Sequence, residues 1–287
     1  MPSRRQPDPR SVVVLRAVAV ASILAVILGG LAAGRGPAEA EAASPPHHDL
    51  AVAGVAVFDP GYILSDRVLS DSRSLNEAQV QSFLAEQAPG CAFTSETTCL
   101  RAYRSELPAR AASTGGQCAA LPRESGVLAS RIVVQVAHAC RINPKVLLVM
   151  LQKEQGLITA VSPTQRAYRV AMGYGCPDSA ACDTEFYGFA SQVYRAAKQL
   201  RSYLLDPAHW RYRVGPVLVK FNPQATCGAA VVDIRNQATA ALYNYTPYQP
   251  NAAALANPHG QGDACSSYGN RNFWVAFTEW FGSPTGG

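Results

Sequence analysis

Eight cysteines, at positions 91, 99, 118, 140, 176, 182, 227 and 265, restrict this 287-residue chain more than any other feature, because all of them lie beyond an N-terminal export signal. An even cysteine count in an exported chain predicts disulfides. Neighbours across short loops suggest Cys91–Cys99 and Cys176–Cys182, which leaves Cys118–Cys140 and Cys227–Cys265 as the simplest remainder. No Cys-x2-Cys pair occurs, so a structural zinc site is not expected, and His47-His48 in a loose tail makes a poor metal site. Neither a metal nor any other cofactor is called for.

The export signal reads from Arg4, Arg5, Arg10 and Arg16, through an apolar run from Ala17 to Ala33, to an A-x-A site at Ala38-Glu39-Ala40 or Ala40-Glu41-Ala42. Residues 1–42 are therefore expected to be a signal peptide, placing the mature protein outside the cell or in the wall. If uncleaved, the run of 17 residues would be an anchor at the lower limit for spanning a bilayer, the chain's one expected membrane contact. Removing residues 1–42 leaves 20 basic against 17 acidic residues, a net charge of +3. That suits an anionic wall and is too weak to indicate nucleic acid.

The stretch Asn143-Pro-Lys-Val-Leu-Leu-Val-Met-Leu-Gln-Lys-Glu-Gln-Gly156 predicts one helix with both ends marked. Asn143 suits the N-cap, Pro144 the first helical position and Gly156 the left-handed stop. Val146, Leu147, Met150 and Leu151 recur at helical spacing, and Glu154 falls within about 20° of Leu147 around the axis. A carboxyl is thus aimed off an apolar face in a last turn. Burial and the partial negative charge of a helix C-terminus both favour its neutral form, the form a general acid needs. An ion pair with a neighbouring arginine is the competing use of such a group.

The rest of the exported part reads as mostly helix. A Ser74-Leu-Asn-Glu77 capping box predicts a helix through about Gln87, and a second helix is expected from about Ser125 to Cys140, packing against the Glu154 helix as an αα-hairpin. Asp183 to Phe189 leads into a long helix to about Leu205. Val231–Ile234 reads as a short strand, 220–227 as a connecting loop, and Asn236 as the cap of a helix running into Tyr243-Asn-Tyr-Thr-Pro-Tyr248. Residues 250–268 read as a loop pinned by Cys265, and Asn270–Phe281 as a closing amphipathic helix. Residues 43–57 are expected to be a flexible linker, 58–124 an N-terminal helical and irregular subdomain, and 125–287 a second helical domain.

No G-x-S-x-G, H-E-x-x-H or P-loop occurs. His138 and Cys140 face different ways on one helix and do not read as a catalytic pair. What remains is Glu154 and two aromatic, amide-rich clusters: Tyr187 with Gln192, and Tyr243, Asn244, Tyr245 and Tyr248. Sugars present flat C–H faces and many hydroxyls, which aromatic rings beside amides and phenols match. Each tyrosine has an alternative use as a core residue with a bonded hydroxyl. Asp183 and Glu185 are the candidates for a second carboxylate.

Leu147–Gly156, with Glu154 at the helix end, resembles the acid-bearing helix of the lysozyme-like superfamily of lytic transglycosylases, goose-type lysozymes and bacterial β-N-acetylglucosaminidases. The Tyr187-Gly-Phe189 segment and the later Tyr243-Asn244 follow in the same order. The exported part also resembles a family of secreted actinobacterial haemagglutinin-like or hypothetical proteins. The shared blocks are Asn143–Leu148, Gln152–Gly156, Gly173–Asp178, Asn236–Tyr248 and Tyr268–Trp274. Glu154 is followed by Gln155-Gly156 where transglycosylases have Ser-Gly, and their Gly-Leu-Met-Gln block is missing, which leaves the reaction subtype open. The resemblances imply a mostly α, lysozyme-like domain with stapled irregular loops and few short strands. They further imply a monomeric, secreted enzyme that cleaves the glycan strand of peptidoglycan with Glu154 as general acid and base. The rival expectation is a non-catalytic protein that binds wall or another glycan on the same fold, and a third is an exported structural domain.

Overall fold

The Glu154 helix is buried around nearly its whole circumference: every residue from Val146 to Leu151 is 0–1% exposed. The expected one-sided stripe was too narrow, because Leu148 and Val149 are as deeply buried as Leu147 and Met150. A helix apolar on all sides must be wrapped by other elements. Its surroundings therefore set the architecture.

A computed structural model describes residues 57–91, 98–177 and 181–286, and the expected signal and most of the linker lie outside them. In chain order the elements are α1 (Asp66–Ser70), α2 (Glu77–Gln87), β1 (Arg104–Leu107), β2 (Glu124–Leu128), α3 (Ala129–Cys140), α4 (Pro144–Gln155), α5 (Gln165–Arg169), α6 (Phe189–Leu205), β3 (Gly215–Lys220), β4 (Ala229–Ile234), α7 (Gln237–Tyr245), α8 (Ala252–Ala256) and α9 (Gly269–Phe281). The class is mostly α, with two separate two-stranded antiparallel ladders, β1–β2 and β3–β4. Both α3 and α9 pack on α4, while α6 joins α3 to α7 and α2 covers α3. Among the described residues, no helix is long and apolar enough to cross a membrane.

Phe58, Leu69, Leu84 and Leu107 share one core with Ile132, Leu147 and Phe273. Phe58 meets Trp274 edge to face at 5.8 Å between centroids. The boundary expected near residue 124 falls at the start of β2, whose partner β1 lies on the other side of it. Residues 125–128 were expected to be helical, yet they pair with 104–107. Gly126 sits at φ 62°, a left-handed conformation that no α-helix accepts. The capping box is also displaced by two residues. Asn76 caps α2 with Gln79 as its reciprocal partner, and the Ser74 hydroxyl donates instead to Asn143 Oδ1 at 2.5 Å.

All four disulfides form as expected, Cys91–Cys99, Cys118–Cys140, Cys176–Cys182 and Cys227–Cys265. Cys140 ends α3 and holds it to the 108–122 segment, which supplies no long helix of its own.

Asn143 joins the two halves of the core. Its backbone N–H donates to Leu69 O at 2.9 Å and its side-chain amide to Val68 O at 2.7 Å, while Oδ1 accepts from Lys145 N–H at 2.8 Å. One 2%-exposed side chain thus caps α4 and closes the end of α1. Asn143→Ala removes a cap and the side-chain hydrogen bond to Val68 O, so unfolding in urea should show a loss of about 2 kcal/mol with an unchanged slope.

Candidate functional site

The last turn of α4 is where the buried helix reaches solvent. Gly156 ends it at φ 63°, and Gln152 fixes the following turn: its Oε1 accepts from Ile158 and Thr159 N–H at 3.1 and 3.2 Å. Lys153 and Glu154 are held between these two anchors. Their side chains form an ion pair, Lys153 Nζ to Glu154 Oε1 at 2.7 Å, with the lysine 7% and the glutamate 23% exposed. The ammonium also donates to Thr246 Oγ1 at 2.6 Å and lies 5.4 Å from the Tyr245 ring centroid. A cation in the last helical turn is favoured by the helix dipole. The competing reading of Glu154 paired it with an arginine from a neighbouring segment. The observed partner is its own neighbour in sequence.

The other carboxylate oxygen faces the turn at Gly173. A Cβ on Gly173 would stand 3.1 Å from Glu154 Oε2, and the residue has φ 65°. Glycine therefore supplies both the left-handed turn and the room for the carboxylate. Gln192 holds that turn from beneath: its Oε1 accepts from Met172 and Tyr174 N–H, and its Nε2 donates to Tyr174 and Phe186 carbonyls, all at 2.9–3.1 Å.

Around this point lies an open cleft of about 530 Å3. Glu154 and Lys153 meet there with Gly173 and Pro177 from the stapled loop, Tyr245 to Tyr248 from the end of α7, and Ser266 to Gly269 at the start of α9. Tyr245 donates to Met172 O at 2.7 Å, and Asn270 Nδ2 donates to the carbonyls of Thr246 and Tyr248 at 3.0 and 2.9 Å. Each wall of the cleft is therefore hydrogen-bonded to another. Four of the five sequence blocks, Gln152–Gly156, Gly173–Asp178, Asn236–Tyr248 and Tyr268–Trp274, contribute lining residues.

The structure divides the predicted site residues. Glu154, Tyr245 and Tyr248 line the cleft. Gln192 is wholly buried in the scaffold just described, and Tyr243 is 0% exposed with its hydroxyl donating to Pro60 O at 3.0 Å. Asn244 bridges Tyr212, accepting from its N–H at 3.0 Å and donating to its carbonyl at 2.8 Å. These three have their polar atoms engaged internally. Tyr187, Asp183 and Glu185 are not among the lining residues; Asp183 Oδ1 accepts from Glu185 N–H in an exposed turn. Glu154 is the one carboxylate among the described residues of the cleft. Lys153, Thr246 and Tyr268 escaped sequence reasoning. A lysine in the last turn of a buried helix was the one available signal, and the other two are placed by contacts remote in sequence.

A second depression, of about 590 Å3, lies between Asp59–Gly61 and β4. Its charged pair, Asp59 and Arg235, is exposed and bonded to itself. Its chemistry is that of an ordinary surface ion pair. Among the described residues, no group of three or more His, Cys, Asp or Glu could hold a metal ion.

Tyr245 at the site and several tyrosines of the core are held neutral. Burial, followed by the Glu154 carboxylate, pushes the Tyr245 phenol well above its ordinary value, and burial raises Tyr203 to about 12. Tyr243 and Tyr168 are raised for the same first cause. In the unfolded chain these phenols ionise near pH 10, so the stability they confer is full below that and is lost as pH climbs through the folded-state values. Absorbance at 295 nm against pH should show part of the tyrosine set ionising only with global unfolding, at about pH 12 or above. Lys153→Met leaves a partly buried carboxylate unpaired and should cost about 1–2 kcal/mol, discounted for the exposure of Glu154. Adding Glu154→Gln should recover part of that loss, a coupling that denaturation of the three variants measures.

A family model described as LasA, N-terminal domain, matches residues 62–285, a span that contains every lining residue of the cleft. It names neither the lysozyme-like nor the haemagglutinin-like family that the sequence blocks resemble. No curated protein and no solved structure matches the chain.

Proposed function

The chain belongs to the family of the LasA N-terminal domain, and from that membership and the cleft we propose that it is a secreted protein acting on the bacterial cell wall, whose Glu154 cleft receives the glycan strand of peptidoglycan and cleaves it. The family association supports the location and the wall substrate. The observation that carries the site is an open cleft in which Glu154, the one carboxylate among the described lining residues, stands beside aromatic rings and hydroxyls.

Among the described residues Glu154 is the one carboxylate that lines the cleft, and this supports a one-carboxylate scheme. Retaining hydrolysis needs a second carboxylate about 5–5.5 Å away, and inverting hydrolysis one at about 6.5–9.5 Å. Asp183 and Glu185, the candidates for it, stand outside the cleft lining. The remaining scheme uses one side chain twice. Glu154 gives its proton to the leaving glycosidic oxygen as the bond to the anomeric carbon breaks. It then takes a proton from the sugar's own hydroxyl as that oxygen closes onto the same carbon, which restores the acid and leaves an anhydro-sugar. Tyr245 and Tyr248 provide the adjoining wall.

The ion pair with Lys153 favours a second reading, a wall-binding protein with no turnover. A carboxylate bonded to a fixed ammonium is an acceptor, and the cleft would then hold glycan through rings and hydroxyls alone. One experiment separates the two. Purified peptidoglycan is incubated with the parent and with Glu154→Gln, and soluble muropeptides are identified by mass spectrometry. Anhydro-sugar products from the parent, lowered about 100-fold or more in the variant, are expected for the enzyme. Saturable binding by the parent without soluble fragments assigns the binding role and removes Glu154 from any catalytic one.

A further inference from the structure

Tyr268 lines the Glu154 cleft on a mount that no sequence pattern disclosed. Its hydroxyl accepts from Gly262 N–H at 3.0 Å, and the Arg271 guanidinium lies 4.4 Å from the centre of its ring. Arg271 is 4% exposed. Its Nη1 donates to the carbonyls of Ala254, Asn257 and Gly260 at 2.9–3.0 Å, and its Nε and Nη2 donate to Asn272 Oδ1 at 3.0 and 2.8 Å. Among the described residues no carboxylate forms an ion pair with it.

A guanidinium removed from water without a counter-ion is costly, and neutral donors could satisfy the same carbonyls. The charge adds attraction to the face of the Tyr268 ring. Arg271 thereby ties the 254–260 segment to that ring. The loop has further restraints: Asn251 Nδ2 donates to Asp263 Oδ1 at 2.8 Å, the Ser266 hydroxyl contacts both, and Cys265 is bonded to Cys227. The ring is therefore ordered by folding, and a ligand that stacks on it has no loop to order on binding. A fixed aromatic face beside Thr246 and Ser267 matches a pyranose, which offers a C–H face and a rim of hydroxyls.

We propose that Tyr268 is the saccharide-stacking platform of the cleft and that Arg271 is the positioning residue that sets its ring. This rests on the cleft being a glycan site. The probe is soluble, peptide-free glycan of alternating N-acetylglucosamine and N-acetylmuramic acid, titrated calorimetrically and followed by proton NMR. Tyr268→Phe keeps the ring and should bind within about twofold of the parent, while Tyr268→Leu should bind about tenfold or more weakly. In the parent, sugar C–H resonances should move upfield under the ring. That displacement should vanish in Tyr268→Leu and shrink in Arg271→Lys, a readout that lost stability alone does not move. Equal affinities for the Leu and Phe variants overturn the proposal. If the Leu variant fails to fold, the parent decides: bound glycan with no upfield-shifted C–H resonance overturns the platform and leaves the cleft as the site. A parent that binds no glycan at all overturns the reading of the cleft and this proposal together.

Discussion

The core of this molecule is built around one helix from which water is excluded. From Val146 to Leu151 no side of α4 is solvated, so α3 and α9 must cover it and the N-terminal segment must contribute to the same core. Complete burial of six large apolar side chains is a strong driving force, roughly 1.5–3 kcal/mol for each. It also fixes the axis of α4 within a close-packed interior, where small displacements are felt. A charged pair at the end of such a helix is therefore held in place without long-range electrostatics.

The cleft is the complement of that burial. Where α4 emerges, the chain supplies loops, and loops carry backbone groups that need partners. The partners here are side chains that face inward: Gln192 under the Gly173 turn, Asn270 under 246–248, and Arg271 under 254–260. Two disulfides bound the same region, with Cys176 in the wall and Cys265 beside Ser266. These restraints order the cleft walls on folding, so a ligand received there would have no loop to order.

Local signals in the sequence held wherever the responsible atoms lie close together in the chain. The two ends of α4, the cap of α7 at Asn236 and the short-loop disulfides Cys91–Cys99 and Cys176–Cys182 follow from neighbours a few residues apart. The reading failed where a distant partner competed. Ser74 was diverted from α2 to Asn143, 69 residues away, and the segment after Glu124 was taken into a ladder with β1. Gln192, Tyr243 and Asn244 looked like ligands because amides and phenols serve sugars and backbones equally well. Which they serve depends on whether a carbonyl of a remote segment stands in reach.

The residue order specified a helix with marked ends and an apolar face, an acid in its last turn, a disulfide framework and a mostly α class, because capping, periodicity and cysteine spacing are short-range properties of the chain. The fold settled that Glu154 opens into a cleft, that Lys153 is its partner, and that Tyr268 rather than Tyr243 stands in the wall. Those outcomes arise where the end of α4 meets segments about a hundred residues further along the chain, near α7 and α9, and no local pattern encodes which of several equivalent side chains such contacts leave exposed.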